Sequence, residues 1–278
     1  MFEGRRLVIA TKHEKEKVIA PIVENYLGVR CFVPVNLDTD ALGTFTGEIE
    51  RKDDPLTTAR KKCLKAMELT GCDLAIASEG SFGAHPSFYF VHADEEFVLL
   101  LDQKNNREII AKTLSTDTNF NGKKIQTEAE LKVFADAAKF PSHGLIIRNA
   151  KDGILRIEKG ITDWGVLINL YYQFIDSFGS VYIETDMRAM YNPTRMVVIK
   201  DAVQKLVEKI NSRCPECNTP GFTITKVNPG LPCELCNQPT SSILSYMSTC
   251  TKCYYTLENK YPYEKQFENP MYCTNCNP

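Results

Sequence analysis

The sequence has no apolar run approaching the roughly 18 to 20 residues that a membrane-spanning helix needs. Its opening stretch, MFEGRRLVIATKHEKEK, turns charged before an apolar segment of secretory length develops, so a cytoplasmic protein without a membrane partner is expected. An excess of positive charge is missing too. A protein that grips nucleic acid through its phosphates carries a surplus of Lys and Arg, whereas the formal net charge here is -2. From residue 211 onward, Arg213, Lys226, Lys252, Lys260 and Lys265 are matched by Glu216, Glu234, Glu258, Glu264 and Glu268. Nucleic acid is therefore not the favoured partner. Apolar residues, at 43% of 278, suffice for a packed core in one large domain with an appendage or in two medium ones.

Cysteine is plentiful and unevenly placed. Eight of the eleven cysteines lie in the last quarter as four pairs of one spacing: CPEC from Cys214 to Cys217, CELC from Cys233 to Cys236, CTKC from Cys250 to Cys253 and CTNC from Cys273 to Cys276. A CxxC knuckle reverses the backbone so that two thiolates converge on one ion, and two knuckles complete a tetrahedral zinc shell. The gaps between the first and second knuckles and between the third and fourth both suit a four-cysteine zinc ribbon. Two structural zinc ions are expected, with every ligand position filled by sulfur. A disulfide framework or redox dithiols are the competing readings, and the reducing compartment argues against them. Sequential pairing joins Cys214, Cys217, Cys233 and Cys236 on one ion and the other four on the second; an interleaved arrangement has similar loop lengths and stays open. Cys31, Cys63 and Cys72 fall in apolar surroundings and read as core residues.

The first 210 residues alternate strand and helix patterns. RRLVIA and CFVPV read as strands around a helix carrying Val18, Ile22, Val23 and Tyr26 and stopped by Gly28. A charged, glycine-broken segment follows. Asp54 and Pro55 then suit the N-cap and first position of a helix with Leu56, Ala59, Cys63 and Ala66 on one face. LAIAS reads as a buried strand, FYFVHA and EEFVLLLDQ as strands flanking a short acidic break, and REIIAKTL as the next strand of a meander. TEAELKVFADAA is a predicted helix, HGLIIRNA and ILRIEKGI a hairpin, ITDWGVLINLYYQFIDSF a mostly buried helix and SVYIE a strand. Asn192 and Pro193 open a last helix with Met196, Ile199, Val203, Leu206 and Ile210 at helical spacing. The pattern predicts an α/β domain over 1–210, with a mixed central sheet, flanking helices and a cleft, and a small zinc-ribbon domain over 211–278.

Polar residues cluster at three strand ends: Thr11, Lys12, His13 and Lys15; Glu79, Gly80, Ser81 and Gly83; and Thr185, Asp186, Arg188, Asn192, Thr194 and Arg195. Ligands of open α/β sheets bind beyond the carboxyl ends of strands, so these groups are expected to share one crevice. Arg195 and Lys15 each start a predicted helix, where the dipole already disfavours a cation, and an anion between them would relieve this. A surface salt bridge is the competing reading for either. Asp38, Asp40, Glu48, Glu50 and Glu79 would repel if gathered without a divalent cation, and Mg²⁺ or Mn²⁺ bridges such oxygens to phosphates. A solvated loop is the alternative for residues 36–54. His85 and His143 read as turn histidines and His13 as the better ligand contact.

VIATKHEKEKV, TTARKKCLKAM, DLAIASEGSFG and ETDMRAMYNPTR together resemble the motif order of the inosine/xanthosine triphosphate pyrophosphatase superfamily. That resemblance implies an elongated α/β fold with a central cleft and Mg²⁺-dependent hydrolysis of non-standard nucleoside triphosphates. It also implies phosphate contacts from Thr11 and Lys15, metal binding or water orientation by Glu79, and Arg195 near base or phosphate. LDTDALGTFTGEIER, ASEGSFGAHP, DMRAMYNPTR, CPECNTPGF and GLPCELC resemble an uncharacterised bacterial family defined only as a domain of unknown function. The expected function is a metal-dependent phosphohydrolase for a nucleotide or related phosphorylated small molecule. Glu79, Glu48 and Asp40 form its catalytic and metal-binding carboxylates, and Thr11, Lys15, Ser81, Arg188 and Arg195 its phosphate contacts. The alternatives are a transferase with the same contacts, and a non-catalytic nucleotide sensor or a zinc-ribbon module binding RNA or protein, in which Phe222, Tyr254, Tyr255, Tyr261 and Tyr263 stack on bases rather than packing a small core. A homodimer is compatible with either reading.

Overall fold

The computed structural model describes residues 1–37, 53–151, 153 and 155–278. The chain divides into two compact units, Met1–Val207 and Glu208–Pro278. In the first, β1 (Arg6–Ile9), α1 (Glu16–Leu27) and β2 (Arg30–Phe32) are followed by α2 (Pro55–Thr70), β3 (Leu74–Ala84), β4 (His92–Asp102) and β5 (Arg107–Ser115). These strands form a mixed sheet in the order β2-β1-β3-β4-β5, in which β1 runs parallel to β2 and β3, and β3, β4 and β5 are antiparallel. Asp54 caps α2 as expected, its Oδ1 accepting from the amides of Leu56 and Thr57 at 3.0 Å. Ala59, Cys63 and Ala66 of α2 pack on Ala75, Ala77 and Leu99, which fixes the odd-numbered face of β3 and β4 toward that helix.

A second, antiparallel sheet has the order β6-β9-β7-β8, from β6 (Gly122–Ile125), β7 (Leu145–Arg148), β8 (Ile157–Ile161) and β9 (Val181–Thr185). Its core includes Leu131, Phe134 and Ala135 of α3 (Glu128–Ala137) and Leu167, Tyr171 and Phe174 of α4 (Trp164–Phe178). α5 (Pro193–Asn211) begins at Pro193, with Asn192 Oδ1 accepting from the Arg195 amide at 3.0 Å. The second unit contains the three-stranded sheet β10-β11-β12, formed by β10 (Ile224–Pro229), β11 (Ile243–Thr249) and β12 (Thr256–Lys260). No helix among the described residues is long and apolar enough to cross a membrane.

Several expectations change. The buried stripe of α1 is Ile19, Val23 and Leu27, and Tyr26 is exposed. β2 stops at Phe32, because it is an edge strand and Pro34 has no amide to extend the ladder; Val35 lies in solvent. α4 buries only one face, leaving Val166 and Tyr172 half exposed. β3 does not end at Ser78: its parallel pairing with β1 stops at Ile76, but β4 carries it on to Ala84. FYF is an exposed loop, and the acidic break lies inside the continuous strand β4.

Candidate functional site

Beyond the carboxyl end of β1, the even-numbered face of β3 and β4 turns from apolar to charged. Ile76, Val98 and Leu100 give way to Ser78, Gly80, Asp94 and Glu96, all on one face by strand alternation. Lys15, at the N-cap of α1, donates from Nζ to the carbonyl and Oγ of Ser78 at 3.1 and 3.0 Å and is buried. Arg195, in the first turn of α5, donates from Nε to Glu96 Oε1 at 2.6 Å and from Nη1 to the Met187 carbonyl, and its guanidinium lies 5.0 Å above the Phe82 ring. The Arg195–Glu96 pair is fully buried. A Cβ on Gly80 would overlap Glu96 Oε1 and come within 2.6 Å of Arg195 Nη2, so the ion pair lies directly against the backbone of β3.

Glu79 projects from the opposite face of β3, where Lys62 of α2 pairs with it; both side chains are largely buried. Charges on both faces act on Lys15. Burial lowers its pKa to about 8, Arg195 and Lys62 push the same way, and Glu96 and Glu79 oppose them. Asp94 is raised to about 8, first by burial and then by Glu96, against the pull of Arg195 and Lys15. Lys15 is influenced by charges on both faces, but Glu79 and Arg195 project from opposite faces of β3, so the single crevice expected for the three is not formed.

The other expected residues are placed differently. Thr11, just past β1, is buried, and its Oγ1 has no hydrogen-bond partner among the described residues. Ser81 shares the Glu79 face of β3. Arg188 is held by Asp186 at 2.6 Å and lies over Tyr191. Asp38, Asp40, Glu48 and Glu50 lie outside the described residues. His85 is a turn histidine, accepting from the amides of Ser87 and Phe88. His143 is buried between Ser142 and Thr194, and burial lowers its pKa. Sequence reasoning missed Asp94, Glu96 and Lys62. The signal for the first two was their period-two spacing with Val98 and Leu100.

In the second unit, the cysteines form two groups: Cys214, Cys217, Cys250 and Cys253, and Cys233, Cys236, Cys273 and Cys276. The pairing is interleaved, not sequential. Within each group the sulfurs lie within 4.8 Å of one another, with closest approaches of 3.5 and 3.6 Å. A tetrahedral shell with zinc–sulfur bonds of about 2.3 Å spaces its sulfurs by about 3.8 Å, so either group can hold a structural metal ion such as zinc. These separations are far too long for disulfides. All four knuckles close alike: the amides of Asn218, Asn237, Tyr254 and Asn277 donate to the carbonyls of Cys214, Cys233, Cys250 and Cys273. Asn218, Asn237 and Tyr254 take left-handed backbone conformations there, which asparagine tolerates better than tyrosine. Phe222 and Tyr255 pack with the first group, whereas Tyr254 and Tyr263 are exposed.

Residues 62–278 match the family described as Domain of unknown function (DUF6671). No curated protein matches the chain.

Proposed function

This chain belongs to that family of unknown function, so its reaction has to be read from its own residues, and we propose that the first unit is a metal-dependent phosphohydrolase acting on a phosphorylated small molecule such as a nucleotide. The observation that carries the reading is the burial of two cations beyond the end of β1, Lys15 on Ser78 and Arg195 on Glu96. Two buried cations on helix N-termini suit the non-bridging oxygens of a phosphate, and their position beyond a parallel strand is where α/β sheets bind ligands. This is also the chemistry implied by the resemblance to the inosine/xanthosine triphosphate pyrophosphatase superfamily.

In this reading the water oxygen bonds to phosphorus as the bond from phosphorus to the leaving oxygen breaks. Glu79, oriented by Lys62, takes a proton from the water. Lys15, whose proton is loosened by burial, supplies one to the leaving oxygen, and Arg195 offsets charge on the phosphoryl oxygens. A divalent Mg²⁺ or Mn²⁺ ion, when bound, would supply the remaining charge. The carboxylates of this neighbourhood fit such an ion because they are hard oxygen donors.

The test is release of phosphate or pyrophosphate from a panel of nucleotides and sugar phosphates with Mg²⁺ or Mn²⁺. Wild type is expected to turn over at least one compound, and Glu79→Gln, verified as folded, to lose most of that rate. No turnover across the panel, or equal turnover by both proteins, rejects the reading.

A further inference from the structure

Four buried side-chain oxygens on one face of β4 and β5 have no hydrogen-bond partner among the described residues: both carboxylate oxygens of Asp94, Oε2 of Glu96 and Oγ1 of Thr113. Asp94, Glu96 and Thr113 are 1%, 0% and 5% exposed. Thr113 stands directly opposite Glu96 in the β4/β5 ladder, and Asp94 lies two residues along from Glu96, so all three side chains leave the sheet on the same side. Burying an ionised carboxylate with neither oxygen satisfied costs several kcal/mol, so Asp94 either holds a proton or faces a bound cation.

The nearby cations offset that cost only in part, acting through space without a hydrogen bond to Asp94. Arg195 spends its Nε on the other oxygen of Glu96, and Lys15 directs Nζ to Ser78. From this arrangement we infer a divalent-cation site built by Asp94, Glu96 and Thr113, separate from the cysteine sites and suited to Mg²⁺ or Mn²⁺. Carboxylate and hydroxyl oxygens are hard donors that select these ions over those preferred by thiolates. Six-fold coordination would need water or phosphate oxygens to complete the three protein ligands. With Lys15, Lys62 and Arg195 against Glu79, Asp94 and Glu96, the ionised cluster sums to zero, so an added dication matches a phosphate dianion. The inference assigns the ligands of the metal that the hydrolase reading requires and rests on that reading only for the ion's purpose.

The test uses the full chain with its cysteine-bound metal in place and follows loss of the free Mn²⁺ electron paramagnetic resonance signal. Wild type is expected to bind about one Mn²⁺. Asp94→Asn, which keeps the shape and removes the charge, should weaken binding at least about tenfold. Thr113→Val should weaken it by a smaller factor and keeps the test valid if Asp94→Asn does not fold. Glu128→Gln, on the surface of α3, should bind as wild type. No Mn²⁺ binding by wild type identifies a carboxyl group that is merely protonated, and this overturns the inference, as does unchanged binding by the two site variants. Mn²⁺ binding that depends on Asp94 without turnover of any phosphate compound leaves the site standing and removes the hydrolase. Glu79-dependent turnover with Mn²⁺ binding that Asp94→Asn leaves unchanged keeps the hydrolase and removes this site.

Discussion

A lysine ammonium taken out of water loses hydration that two hydrogen bonds to a serine cannot restore, and Lys15 accordingly gives up its proton near pH 8 rather than at the ordinary 10.5. The sign of the stability effect follows. Between those two values the unfolded chain still holds the proton that the native lysine has shed, so the native state gains as pH rises through the window. Relative to Lys15→Met, wild type should become more stable by about 3 kcal/mol from one end of the window to the other. Urea unfolding of both proteins at the two ends measures this, and a constant difference would mean that the ammonium is not desolvated. Lys15 and Arg195 were legible in the sequence because a cation at a helix start contradicts the dipole and so calls for explanation. Asp94 and Glu96 were not, because ADEE resembles an interruption between strands until its alternation with Val98 and Leu100 is followed. Lys62, at the middle of a helix full of lysines, carried no mark of its own.

Among the elements, β10, β11 and β12 decide how the knuckles pair. Antiparallel pairing sets Ile224 at the start of β10 against Ser248 near the end of β11, which brings the knuckle before β10 beside the knuckle after β11. β12 runs back until Lys260 pairs with Ser245, toward the end where β10 finishes and the second knuckle begins. Cys273 and Cys276, which follow β12, join Cys233 and Cys236 there. Loop lengths alone could not distinguish the two pairings; the strand directions do, and they were hidden because the tail reads as Pro-, Gly- and Asn-rich connections. Counting bound zinc in paired variants tests the result. Cys214→Ser with Cys250→Ser removes two ligands from one site and should leave one tightly bound ion. Cys214→Ser with Cys233→Ser damages both sites and should leave none at wild-type affinity. Sequential pairing demands the opposite outcomes. β3 shows the same blindness in the first unit: glycines at 80 and 83 signal a turn, yet Gly80 serves to let Glu96 and Arg195 approach the backbone of a strand that continues.

At the scale of the molecule, the two units draw stability from different sources. The first has aliphatic clusters on both of its sheets, including Ala59, Ala75 and Leu99 in one and Leu131, Leu145 and Phe174 in the other. The second has a core whose buried members include Cys214 and Cys250 of one four-cysteine group, with Phe222 beside them. Folding there is expected to depend on a bound metal ion, because apolar burial of that extent cannot offset the conformational entropy of some seventy residues. The single tryptophan, Trp164, packs edge-on against Phe140 at 4.7 Å in the first unit and reports on that unit alone. Removing metal with a strong chelator should abolish the β-sheet signal of the second unit while Trp164 fluorescence keeps its native maximum. Guanidinium titration followed at Trp164 should then give the same midpoint with and without chelator, because the clusters that surround it contain no cysteine pair. A midpoint that falls on chelation would show that the first unit depends on the metal as well, and the separation of stabilities drawn from the two cores would be wrong.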